Sequence, residues 1–293
     1  MVSGFLSGRL LMKESRPSRT ANRVAMRRAA HLLLDNPKVL NDPLAVRILS
    51  AESRARLHDE PWYIPASAAK YMRAFMVARA RFAEDELARA VQRGASQFVV
   101  LGAGLDTFGC RNPYPGLRVF EVDHPATQAW KRERLAAGDI PVPGTLTFAP
   151  VDFENQTVGE GLREAGFDCS RITFFSWLGV IMYLTEEAAR GTLRFIAATP
   201  PGGGVVFDYA VPRDSLIFAQ RIAFDRLSRR VEAAGEPFRL FFMPSQVAEI
   251  LRGLGFRNIA DLSADDVNAR YFSDRSDGLR VGGGLARLLS AEL

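Results

Sequence analysis

Cysteine, histidine and lysine are all scarce in this chain, and each scarcity removes a class of function. The two cysteines, Cys110 and Cys169, are too few for a disulfide framework and show no paired metal-ligand spacing, so two reduced thiols are the plain expectation. The three histidines, His31, His58 and His124, lie far apart and form no H-E-x-x-H or comparable cluster, and no protein-bound metal is expected. Lysine occurs four times, and arginine supplies nearly all of the positive charge. At a net charge of +5, the one dense basic stretch is RPSRTANRVAMRR at 16–28, short of the concentrated basic face that a nucleic-acid partner demands. No apolar run reaches the roughly 18 to 20 residues of a membrane span. The N-terminus, MVSGFLSGRLLMKESRPSR, has neither a sustained apolar core of signal-peptide length nor a small-residue cleavage site. The expectation is a soluble, cytoplasmic protein with neither nucleic acid nor membrane as partner, and nothing in the pattern specifies an oligomer.

What is present is ordinary globular composition: 47% hydrophobic and 24% charged over 293 residues, enough for a large core. Residues 17–95 read as helical. TANRVAMRRAAHLLLD (20–35) has Thr20 as N-cap and apolar residues at helical spacing, and DPLAVRILSAESRARL (42–57) opens with an Asp–Pro pair suited to a cap and first turn. A long helical pattern at 68–94 ends at Gly94. After Gly94 the rhythm changes. Strands are expected at 97–103, 117–123, 146–152, 172–179 and 203–210, separated by helical patterns at about 124–137, 157–166 and 185–198. Continuous apolar strands alternating with helices predict a mostly parallel sheet covered on both faces, a Rossmann-like α/β fold. A helix at about 214–234, a short helix from Pro244, and final strands at 257–262 and 284–293 follow. The last strand is expected to be antiparallel, since only a hairpin-like loop precedes it. The division expected is 1–95, a helical lid, and 96–293, an α/β core, acting as one unit.

The stretch FVVLGAGLDT (98–107) carries the functional signal. A glycine turn after the first strand lets the backbone approach a ligand closely, and ligands in such sheets bind beyond the carboxyl ends of the strands. Gly102, Ala103 and Gly104 therefore belong beneath a nucleotide-like ligand. Asp123 stands 19 residues after Gly104, at the end of the next strand, where a carboxylate can accept two ribose hydroxyls. Asp152 and Phe153 end the third strand, an acid and an aromatic placed to meet an adenine. A dinucleotide site wants a third glycine in G-x-G-x-x-G. Here Thr107 follows and Gly109 is out of register, and Asp106 would oppose a pyrophosphate. The ammonium of S-adenosylmethionine can instead use a nearby acid, so that cofactor is favoured over NAD.

LGAGLDT (101–107), VFEVDHP (119–125), VDF (151–153) and FFSWLGVIMYLT (174–185), with the helical lead-in SRTANRVAMRRAAH (18–31), NDPLAVRIL (41–49) and VARARFAEDEL (77–87) and with VVFDYAVP (205–212), resemble the leucine carboxyl methyltransferase-like branch of class I S-adenosylmethionine-dependent methyltransferases. The resemblance covers about residues 17–293. It implies a seven-stranded sheet with strand seven antiparallel and an N-terminal helical lid. It also implies that Gly102 and Gly104 line the methionine moiety, Asp123 holds the ribose, Asp152 and Phe153 frame the adenine, and Arg79 reaches the cofactor carboxylate, with Arg81 as its neighbouring alternative. One departure stands out: Leu178 precedes Gly179 where members acting on protein or simple carboxylates often carry Glu. Many bacterial relatives look like this one, some associated with polyketide and other secondary metabolism.

The chemistry expected is direct methyl transfer, in which the enzyme mainly aligns a nucleophile with the methyl group. A carboxylate needs no general base, whereas a hydroxyl does. Tyr183, Asp208, Tyr209 and His124 are the candidates, with Tyr183, just past strand four, the one assigned a catalytic role. None makes a convincing base, which favours a small-molecule acceptor that ionises unaided. RNPYPG (111–116) resembles the motif of amino-methylating enzymes but lies between strands one and two, so it reads as a turn. The expected function is O-methylation of a carboxylate or hydroxyl of a small molecule. Methylation of a protein or peptide C-terminus is the alternative. A non-catalytic cofactor-binding protein and a nicotinamide-dependent oxidoreductase stand behind it.

Overall fold

The computed structural model describes residues 19–58, 66–152, 156–233 and 235–293. Helix α1 (Arg19–Leu34) buries Ala25, Met26, Ala29 and Ala30, the stripe of a helix packed on one face. The helix expected at 42–57 starts late. Residues 43–48 are successive turns, and α2 (Ala51–Ala55) begins behind Ser50, whose hydroxyl accepts the Ser53 N–H. Asp42 caps no helix. One of its oxygens accepts the Leu44 N–H at 3.1 Å, and the other is drawn away by Arg28 and Thr107. Helix α3 (Ala66–Gln92) closes at Gly94, whose N–H donates to the Val91 carbonyl at 3.0 Å while that of Ala95 reaches Ala90 at 2.9 Å.

From there strands and helices alternate: β1 (Gln97–Leu101), α4 (Phe108–Arg111), β2 (Arg118–Asp123), α5 (Pro125–Ala137), β3 (Leu146–Pro150), α6 (Val158–Glu164), β4 (Thr173–Trp177), α7 (Glu186–Ala197) and β5 (Gly204–Ala210). The chain ends with α8 (Phe218–Ala233), α9 (Pro244–Gly253), β6 (Arg257–Leu262), α10 (Ala264–Tyr271) and β7 (Ala286–Glu292). The sheet runs β3-β2-β1-β4-β5-β7-β6, parallel except for β7, which is antiparallel to both β5 and β6. Strand order reverses between β1 and β4, which opens a crevice above their carboxyl ends.

Neighbouring residues on the strands serve opposite faces. Phe98, Phe174, Val206 and Leu288 join Ala29 of α1 and Val77 and Phe82 of α3 in one apolar cluster. Val99, Phe175, Phe207 and Leu289 join Leu162 of α6, Leu193 of α7 and Leu251 of α9 in the other. The strands β1, β4 and β5 are buried throughout, because helices cover both faces. Among the described residues no helix is long and apolar enough to cross a membrane.

The route to the last strand differs from the expectation. No hairpin-like loop precedes β7: α10 lies between it and β6, capped by Ser263, whose side chain accepts the Asp266 N–H. The strand is antiparallel because the chain returns to insert it between β5 and β6. The segment RNPYPG is a turn, as expected, with Asn112 Oδ1 accepting the Tyr114 N–H at 3.0 Å.

Candidate functional site

β1 runs into a turn built on Gly102 (φ 69°) and Gly104 (φ 50°). A Cβ on Gly102 would stand 2.3 Å from Val180 Cγ2, so conformation and space both demand glycine there. The Gly102 and Ala103 N–H groups donate to the Val122 carbonyl at 2.8 and 3.1 Å, which seats the turn against the end of β2. Asp123 closes that strand. One carboxylate oxygen accepts the Gly104 N–H at 2.6 Å and the other the His124 N–H at 2.7 Å. Burial pushes the Asp123 carboxyl up from its ordinary value against the pull of these two bonds. Each oxygen keeps a further lone pair for a ligand hydroxyl. Asp152 follows β3 and is brought beside Asp123 through the Val151 N–H, which donates to the Asp123 carbonyl at 2.9 Å. Phe153 lies outside the described residues.

The two arginines of VARARF are separated by burial. Arg79 is 7% exposed, whereas the Arg81 side chain is 48% exposed and pairs with Asp85. Arg79 Nη1 donates to Asp208 Oδ2 at 2.9 Å, and the other Asp208 oxygen accepts the Gly179 N–H. A Cβ on Gly179 (φ 73°) would come within 2.8 Å of the Arg79 guanidinium. Arg79 therefore lies directly over the turn after β4, and the next residue in that turn, Val180, touches Gly102. The structure thus brings Arg79, Gly102, Ala103, Gly104, Asp123 and Asp152 to one end of the sheet.

Three of the four base candidates are committed elsewhere. Both Asp208 oxygens are used by Arg79 and Gly179. The Tyr209 hydroxyl donates to Asp261 at 2.6 Å beneath the β6 edge, and burial followed by that hydrogen bond raises it far above an ordinary phenol. His124 caps α5, with Nδ1 accepting the Ala126 N–H at 3.2 Å. Tyr183 ends the 3-10 turn Ile181–Tyr183 and is half-buried, its ring stacked on Phe238 with centroids 5.5 Å apart. Burial, followed by the charge of Glu236, pushes its hydroxyl up to about 12. It is a neutral hydroxyl near pH 7 and no base.

The glycine turn also rests on charges that the sequence did not disclose. Arg28 on α1 is buried and donates to Asp106 at 3.0 Å, to Thr107 at 2.6 Å and to Asp42. The second Asp106 oxygen accepts the Phe108 N–H at 2.7 Å. Burial works to raise this carboxyl, but Arg28, Lys131 and Arg111 outweigh it and hold it below its ordinary value. Asp106 is therefore a paired group, neither a free partner for a ligand ammonium nor an unopposed charge against a pyrophosphate. Below β2, Lys131 and Glu121 form an enclosed ion pair. Glu121 Oε1 has no partner, and burial, opposed by Lys131, pushes the carboxyl up to about 7. Arg28 could have been noticed as a cation on the buried stripe of α1; Lys131 had no such signal.

A seven-stranded sheet with one antiparallel strand, a double-glycine turn at the switch in strand order, an acid ending β2 and another just past β3 define an S-adenosylmethionine-dependent α/β methyltransferase. The model of the leucine carboxyl methyltransferase family matches residues 21–197, and the chain belongs to that family. YktD of Bacillus subtilis (strain 168), described as a candidate S-adenosyl-L-methionine-dependent methyltransferase, is 34% identical over 294 residues, 92% of this chain and 95% of that one. A protein of Mycobacterium avium (strain 104) with the same description is 32% identical, covering 81% and 82%. A DUF574 family protein from Streptomyces avermitilis MA-4680 shares the fold at a TM-score of 0.60 and 17% identity, over 95% of this chain and 98% of that one. A candidate methyltransferase from Thermobifida fusca YX does so at 0.60 and 17%, over 96% of each.

Proposed function

We propose that this methyltransferase works in the cytoplasm, in secondary metabolism, and methylates an oxygen of a small molecule, a carboxylate or an acidic hydroxyl. The observation that carries the reading is that, among the described residues, none of the four candidate bases is placed to act as one. Asp208 and His124 are bound into the scaffold, Tyr209 is sealed beneath β6, and the Tyr183 hydroxyl sits near 12. An acceptor already ionised at neutral pH needs none of them.

S-adenosylmethionine, when bound, supplies a methyl group already activated on a sulfonium. The residues fit it. Gly102 and Gly104 hold the left-handed turn close against Val180 and Ala21, where side chains would not fit, and the main chain so placed at the crevice cradles the methionine portion. Asp123 takes the ribose hydroxyls, Asp152 meets the adenine, and Arg79, held by Asp208, meets the carboxylate with a planar guanidinium. Tyr183 orients the acceptor as a neutral hydrogen-bond donor.

The test is turnover of S-adenosylmethionine with labelled methyl across carboxylic acids, phenols, amines and peptides with free C-termini. The expected product is a small-molecule ester, which releases methanol in alkali, or an aryl ether, which does not. Transfer confined to the amines would sink the oxygen assignment. Transfer confined to the peptides would move the acceptor to a chain terminus.

A further inference from the structure

A column of stacked aromatic rings stands at the turn after β4. Tyr183 lies on Phe238 with ring planes 24° from parallel, and Phe238 lies on Phe224 with centroids 6.3 Å apart and planes at 22°. Phe241 closes the column edge-on, 5.8 Å from Phe224 and 6.3 Å from Phe238. Three segments contribute these rings: the turn after β4, helix α8, and the stretch before α9. The main chain fixes that stretch in place. The Arg239 and Leu240 N–H groups both donate to the Met182 carbonyl, at 2.8 and 3.2 Å, and the Phe242 N–H donates to the Ala210 carbonyl at 3.0 Å. Phe238 is thereby held against Tyr183 whatever occupies the site.

The two ends of the column differ. Phe224 is buried. Tyr183 is half-buried, and among the described residues its second face has no ring partner. Its hydroxyl feels the charges of Glu236, Arg79, Asp208 and Arg23. An offset-stacked ring is a favoured neighbour for such a face, and a saturated chain or a peptide terminus cannot use it in the same way.

We propose that the acceptor is a flat aromatic or conjugated acid, whose ring continues the Tyr183–Phe238–Phe224 column and whose ionised oxygen is directed at the methyl donor. This rests on the oxygen-transfer reading and narrows its substrate class. The acceptor's proton is lost to solvent before binding. Its oxyanion then forms the new O–C bond as the S–C bond breaks, and the electron pair returns to sulfur. Phe238 acts through Tyr183, as a positioning residue for specificity.

The experiment is calorimetric titration of protein saturated with S-adenosylhomocysteine, using 2-naphthoate and its fully saturated counterpart, decahydro-2-naphthoate. The two share a carbon skeleton and a carboxylate and differ in the flat face. Naphthoate is expected to bind about fivefold or more tightly. That ratio should fall towards one in Phe238→Leu, whereas Tyr183→Phe should keep the ratio and weaken both acids. Equal affinity for the two acids, or binding of neither at millimolar concentration, overturns the aromatic acceptor and leaves oxygen transfer standing. If S-adenosylhomocysteine itself fails to bind, the cofactor site assigned above falls, and this inference with it. Should Phe238→Leu not fold, the wild-type contrast still decides, and Phe238→Tyr must retain the ratio.

Discussion

Lys131 is almost wholly enclosed, and its ammonium pairs directly with the Glu121 carboxylate. Removing one member of such a pair strands the other in a low-dielectric interior, whereas replacing both leaves no uncompensated charge. K131M should therefore destabilise the protein by about 3–5 kcal/mol in urea unfolding, and E121Q/K131M should recover most of the loss. The pair also carries a pH signature. Burial lifts the Glu121 carboxyl from 4.5 to about 7, so the folded state holds that proton more tightly than the unfolded chain does. Its stabilising contribution is complete below the unfolded value and is lost as pH rises through the folded one. The stability of wild type relative to E121Q should accordingly decline between about pH 4.5 and pH 7 and level off above. Asp123 plays a different part, accepting two main-chain N–H groups while keeping lone pairs for a ligand. D123A should weaken S-adenosylhomocysteine binding at least tenfold, as expected from losing a charge-assisted bond worth about 1.5–3 kcal/mol. Unchanged affinity in a folded variant would remove Asp123 from the site.

At the scale of elements, the turn after β1 has the least freedom. G102A places a Cβ 2.3 Å from Val180 at a φ of 69°, and the combined backbone and packing strain should cost about 2–5 kcal/mol. A lowered thermal midpoint together with weakened cofactor binding would register it, and an unshifted midpoint would count against the tight seat. The strands were legible because unbroken apolar runs between turn residues leave few alternatives for a segment covered on both faces. Helix α10 was not, because Val267 is its one fully buried residue and no apolar stripe announces it. The late start of α2 was equally hidden, since Asp42 looked like a cap until Arg28 and Thr107 drew its carboxylate away. The glycine turn and the acids ending β2 and β3 could be found from position alone. The choice between Arg79 and Arg81 could not, because residues two apart on a helix differ only in which side meets the sheet. Nor could the fate of Asp208, which depends on Arg79 reaching across 129 positions of sequence.

At the scale of the whole molecule, one apolar cluster joins α1 and α3 to a full face of the sheet. Thermal unfolding should therefore be a single cooperative transition by near-ultraviolet circular dichroism. A chain beginning at residue 96 should lack a native near-ultraviolet spectrum, because Phe98, Phe174, Val206 and Leu288 would face water. A stable, soluble fragment of that length would show instead that the sheet stands alone.

Sheet order and chain order part company at β7. β7 follows β6 in sequence, yet it is not an edge but the link between β5 and β6. Until β7 is in place, β5 presents an open rim of unpaired amide and carbonyl groups. A product of premature termination keeps that rim, an adhesive edge that invites aggregation and proteolysis. A chain ended before residue 286 should therefore accumulate in the insoluble fraction on expression, where the full chain stays soluble.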